Sequence, residues 1–87
     1  MLKGKTKTGF AWTISDEAAN DFEMLEVLSE VDVNPLLLPK LLEMLLGKEQ
    51  KQRLMDHVRT ESGTVPTTLI SDEIMDIFTS QNKTKNS

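Results

Sequence analysis

The sequence predicts a mainly α-helical domain: an N-terminal β-hairpin, then a compact bundle of about four short helices, then a disordered C-terminal tail. Three observations predict it. Apolar residues alternate near the N-terminus, which is the period of a half-buried strand. From residue 20 onward they recur at helical spacing, punctuated by Asn-Pro, Gly and Val-Pro boundaries. The last eight residues contain no apolar side chain at all.

The hairpin rests on Phe10, Trp12 and Ile14, which alternate with Ala11 and Thr13. Gly9 marks a turn just before them, so residues 2–6 are expected to pair with this strand. A lone hairpin is marginal in water, so its aromatic face must pack on the helices or on another subunit. The next stretch, residues 16–32, holds seven acidic residues and no basic one. Asn20 with Glu23 three residues later predicts a cap and a first helix over about 21–31. Phe22, Leu25, Leu28 and Val31 recur at i+3 and form its expected buried stripe.

Asn34-Pro35 is a helix start, because Asn caps and Pro at the first position lacks only an N–H that would be orphaned anyway. A second helix is expected over 35–46, ending at Gly47, with a kink or restart at Pro39. A third helix is expected over 48–59 with Leu54, Met55 and Val58 inward, closed by Ser62-Gly63. Val65-Pro66 then favours extended backbone before a fourth helix over 66–79, with a restart at Ser71. Leu69, Ile70, Ile74, Ile77 and Phe78 supply its apolar side. The chain thus divides into one helical domain, 1–79, and a polar tail, 80–87, expected to be disordered.

Composition narrows the function. Eighty-seven residues suffice for one domain, and a domain this small is modestly stable by its own core. Cysteine is absent and His57 is the single histidine, so neither a disulfide framework nor a zinc site is expected, and no cofactor. The net charge of −4, with lysines grouped only at Lys3, Lys5, Lys7 and at Lys83, Lys85, argues against nucleic acid as a main partner. No run approaches the ~20 apolar residues of a membrane helix, and the N-terminus lacks the apolar core of a signal peptide, so a cytoplasmic location is expected.

Catalytic constellations are missing from the pattern. His57 reads as a histidine at the core edge, with no complete set of partners implied by spacing. The carboxylates of 16–32 lack the ligand alternation and turn glycine of a calcium loop, and read as a solvated face. Acyl carriers place serine after aspartate, whereas Ser15 and Ser71 precede it. A helix-turn-helix regulator is the alternative, since Gly47 lies between two helices, but an acidic domain would dock poorly on DNA.

What remains is an excess of apolar surface. Leucines at 36, 37, 38, 41, 42, 45 and 46, with Met44, surround most of the second helix. Such a helix is buried centrally or shared with a partner. Leu41, Leu45, Leu54 and Ile74 read as core. Leu36, Leu37, Leu38, Met44 and Leu46, aided by Phe10 and Trp12, are expected to contact another chain, either a second copy or a helical partner.

The chain also resembles a family. The features are Lys3-Gly4-Lys5-Thr6-Lys7-Thr8-Gly9-Phe10, the acidic first helix, Glu43-Met44-Leu45-Leu46-Gly47-Lys48-Glu49-Gln50, His57-Val58-Arg59 with Gly63 and Val65-Pro66, Glu73-Ile74-Met75-Asp76-Ile77-Phe78, and Lys85-Asn86-Ser87. Together they resemble the small tail assembly chaperones of long-tailed phages and prophages of Gram-positive bacteria. The leucine density and Pro39 of the second helix depart from that pattern. The resemblance implies a non-catalytic protein that coats the helical tape-measure protein, assists assembly of the tail tube protein in the host cytoplasm, and is absent from the finished virion. It also implies a longer product made by ribosomal slippage, with which Thr84-Lys85-Asn86 is compatible.

Overall fold

A computed structural model describes the backbone of residues 1–86 and the side chains of residues 1–80. The hairpin is present as expected. Strand β1, Leu2–Lys5, pairs antiparallel with β2, Ala11–Ile14, in the register Leu2↔Ile14, Lys3↔Thr13, Gly4↔Trp12, Lys5↔Ala11. Because strand side chains alternate between faces, Phe10, Trp12 and Ile14 all turn inward and are buried. Gly4 makes this possible. The Trp12 indole lies directly across it, and a Cβ there would sit 2.7 Å from Trp12 Cζ2.

Four helices follow: α1, Asp16–Ala19; α2, Phe22–Val31; α3, Leu38–Val58; and α4, Thr67–Asn86, with a 3-10 turn at Pro35–Leu37. Helix α1 was not foreseen. Ser15 caps it by accepting from the Ala18 N–H at 3.1 Å. Asn20 therefore ends α1 instead of starting α2, and Asp21 caps α2 through the Glu23 N–H at 2.9 Å. The α2 stripe is also corrected. Met24 and Val27 are buried, Leu28 and Val31 are half-buried, and Phe22 and Leu25 face solvent. Residues 24, 27, 28 and 31 are as regular an apolar face as 22, 25, 28 and 31. Helix α2 packs on α3 and on the 3-10 turn, and the face it buries there is that of Met24 and Val27.

The expected second and third helices are the two halves of α3, whose helical run is interrupted at Gly47 with φ 83° and ψ 164°. That region is open essentially to glycine alone. The restart expected at Pro39 is present, since the α-helix begins afresh at Leu38 after a 3-10 turn. Pro35 and its neighbours form the separate 3-10 turn, and Pro39 lies at the second residue of α3, where no backbone partner is lost. Helix α4 has no restart at Ser71, and it exposes Leu69 while burying Ile70, Ile74 and Ile77. Ser80 belongs to α4 and is half-buried. The rest of the tail expected to be disordered, residues 81–87 with Thr84-Lys85-Asn86, lies outside the described side chains.

Helix α3 is the hub. Helices α1, α2 and α4, the 3-10 turn and β2 all pack on it, and α4 also packs on β1. Its Leu41 and Leu54 are fully buried, together with Ile14 of β2 and Ile77 of α4. The core thus joins the hairpin's inner face to three helices.

Candidate docking surface

The apolar residues expected to meet a partner divide sharply. Leu38 and Leu46 are buried in the protein's own core, as are Phe10 and Trp12. Leu37 and Met44 are half-buried against that core. Leu36 alone of the seven is free, at 86% exposure. The reason lies in the 3-10 turn. With about three residues per turn, Pro35–Leu37 cannot continue the face of α3, so Leu36 projects away while Leu38 turns in.

Exposed Leu36 stands at the rim of a groove of about 390 Å3 between this corner, α3 and α4. Pro35, Leu38, Pro39, Leu42, Met55, Val65 and Ile70 line it, and the polar lining is confined to Lys51 and Thr67. Lys51 is held by Glu43 at 3.2 Å, so its charge is turned along α3. Val33, also 86% exposed, precedes the corner by one short loop. A second depression, about 430 Å3, lies between α2 and α4 and is lined by Ala19, Met24, Leu28, Leu45 and Phe78. Phe22 and Leu25, expected from sequence to face inward, are exposed and line it as well. Around them stand the carboxylates of Asp21, Glu23 and Glu26, so this second surface combines apolar contact with negative charge.

Polar side chains gather elsewhere, at the hairpin turn. Glu73 of α4 is buried, and its carboxylate accepts from the Thr6 hydroxyl at 2.8 Å and from the Thr8 hydroxyl at 2.8 Å. Each hydroxyl has one hydrogen, and both are committed to Glu73. Thr6 Oγ1 also accepts from the Phe10 N–H at 3.1 Å. The 2.9 Å contact between Thr8 Oγ1 and His57 Nε2 must then be donated by His57. Together these contacts form a clasp. It ties the turn to α3 and α4, reinforced by the Lys7 N–H donating to Asp76 at 2.6 Å. His57 itself is exposed, with its ring 5.6 Å from that of Phe10. Thr6, Thr8 and Glu73 escaped sequence reasoning because a contact spanning more than sixty positions leaves no local periodicity. Among the described residues no group of three or more His, Asp or Glu is placed to hold a metal ion.

No family model, curated protein or solved structure matches this chain.

Proposed function

We propose that this protein is a non-catalytic assembly chaperone of the phage tail type, which holds apolar helical segments of a tape-measure protein while tail tube protein assembles around them. The observation that carries the proposal is the groove beside Leu36: a mostly apolar channel with a large apolar side chain standing free at its rim. An amphipathic helix seats its apolar stripe in such a groove and leaves its polar face in water. The exposed Phe22 and Leu25 supply a second contact for a helix long enough to pass both sites. The acidic side chains around α2 keep the loaded complex soluble. Work in the host cytoplasm accords with the described helices, none of which is long and apolar enough to cross a membrane.

Co-expression tests the proposal. Tagged protein is expected to co-purify with overlapping fragments of the tape-measure protein encoded alongside it. Leu36→Glu is expected to abolish that capture while leaving the circular-dichroism spectrum unchanged. Failure to capture any fragment, together with a salt-sensitive shift of DNA from its own operon, would overturn the proposal in favour of a small regulator.

A further inference from the structure

The two edges of the hairpin are treated differently. On β2 the outward-facing main-chain groups belong to Ala11 and Thr13. The Gln50 side chain closes Thr13 from both ends, its Oε1 accepting from the Thr13 N–H at 2.8 Å and its Nε2 donating to the Thr13 carbonyl at 2.8 Å. Arg53 donates to the Ala11 carbonyl at 2.9 Å. In an antiparallel pair, residues opposite one another share the same hydrogen-bonding direction. Since Thr13 and Ala11 point outward, their partners Lys3 and Lys5 do too. Among the described residues, the N–H and C=O groups of Lys3 and Lys5 have no hydrogen-bond partner, and neither lysine side chain is in an ion pair. Both residues are exposed.

From this asymmetry we infer that the outer edge of β1 is a binding site for an extended acidic segment of a partner protein, which adds to the hairpin as a third strand. Main-chain bonding to Lys3 and Lys5 supplies the pairing, and the two lysine side chains, alternating on one face, select carboxylates at every second position. Lys3 and Lys5 line an open trough of about 1020 Å3 that reaches across β2 to Lys48, Glu49 and Arg53 of α3, and Lys5 also borders a depression with Asp72, Glu73 and Asp76 of α4. Lysines on an edge also discourage indiscriminate strand pairing. Here they do so while leaving the edge available to one class of occupant, a strand whose own charge cancels theirs. This site is distinct from the apolar groove at Leu36 and does not depend on it.

The test uses the full chain and a ten-residue synthetic peptide alternating glutamate with valine, with a glutamine–valine peptide as control. Binding followed by Trp12 fluorescence or by calorimetry is expected to favour the glutamate peptide at least tenfold, and to lose that advantage in 0.5 M salt. Lys3→Glu with Lys5→Glu is expected to weaken it at least tenfold, and this pair leaves the ladder intact because both side chains face solvent. N-methylation of one alternating set of peptide amides is expected to abolish binding, and of the other set to be tolerated, since only one set can face β1. The same response from both sets overturns strand addition. Equal binding of the neutral peptide overturns the acidic preference. No binding of either peptide means that the lysines merely blunt the edge. A dimer of the protein alone that joins through β1 and resists the peptide means that a second copy is the occupant, and the proposal fails.

Discussion

The hairpin and the 33–39 corner carry similar apolar signals and meet opposite fates. Phe10, Trp12 and Ile14 end at 4%, 3% and 1% exposure, whereas Val33 and Leu36 both stand at 86%. The hairpin has one inner face, α3 covers it, and the Thr6–Glu73–Thr8 clasp fixes its turn. At the corner Leu38 is buried and Leu37 half-buried, but Val33 and Leu36 have no such cover. The corner is a single 3-10 turn between α2 and α3, too short to present a continuous face to the core. Apolar residues at the hairpin hold the domain together, and Val33 and Leu36 at the corner are available for something else.

The largest effect expected from breaking this contrast is Trp12→Ala. Emptying a buried aromatic site typically costs about 3–5 kcal/mol, a large part of the stability of a small domain. Thermal or denaturant unfolding should show a cooperative transition lost or shifted far downward. Trp12→Phe should cost clearly less, since it leaves a smaller void and also removes the Nε1–H, which is buried without a partner among the described residues. A Trp12→Ala protein with an unchanged midpoint would show that the indole is not part of the core.

Two glycines come next. Gly4→Ala drives a methyl into the Trp12 ring, and overpacking of this kind costs about 1–3 kcal/mol. Gly47→Ala meets no atom within 4 Å, so its cost is purely that of the backbone, again about 1–3 kcal/mol for a residue held in the glycine-only region. Chemical denaturation distinguishes them. In combination with Trp12→Phe, the Gly4→Ala cost should shrink because the two contact one another, while the Gly47→Ala cost should simply add.

A third expectation concerns the clasp. Glu73→Leu leaves the Thr6 and Thr8 hydroxyls with no acceptor at Glu73, at about 1–3 kcal/mol for a buried unpaired group. Thr6→Val should cost less in that background than in the parent, because the bond to Glu73 is already gone and only the Phe10 N–H then loses its acceptor. A double-mutant cycle in urea with no coupling between positions 6 and 73 would contradict the clasp.

The contrast also explains what was legible. Strand phases are 180° apart, so alternation of Phe10, Trp12 and Ile14 identifies the inner face without ambiguity. Helical phases overlap, and in α2 two apolar stripes share Leu28 and Val31. The phase expected from sequence places Phe22 and Leu25 inside, whereas α2 meets α3 and the 3-10 turn through the face of Met24 and Val27. Helix α1 was visible in principle, since Ser15 followed by Asp16 and Glu17 is a capping pattern with acids in the first turn. The break expected at Gly47 is present, and its non-helical backbone separates two helices within 38–58. Of the seven residues expected at an interface, leucine density could not separate Leu36 from Leu38. The 3-10 turn separates them, and its short period leaves no repeat for the sequence to display.

The smallest expected change in stability is the most informative. Leu36→Ser removes a side chain that stands almost wholly in water, so unfolding midpoints should move by no more than about 0.5 kcal/mol equivalent. Leu38→Ser, two residues on, places a hydroxyl in the core and should destabilise by several times as much. Capture of a helical partner should behave the other way, falling with Leu36→Ser at unchanged stability. The same comparison tests whether the corner is free in the isolated protein. Were Leu36 already covered by a second copy, its replacement would lower the midpoint in a concentration-dependent manner. A midpoint that is insensitive to both the substitution and protein concentration leaves Leu36 as an unoccupied contact, and partner capture then becomes the only property that the side chain serves.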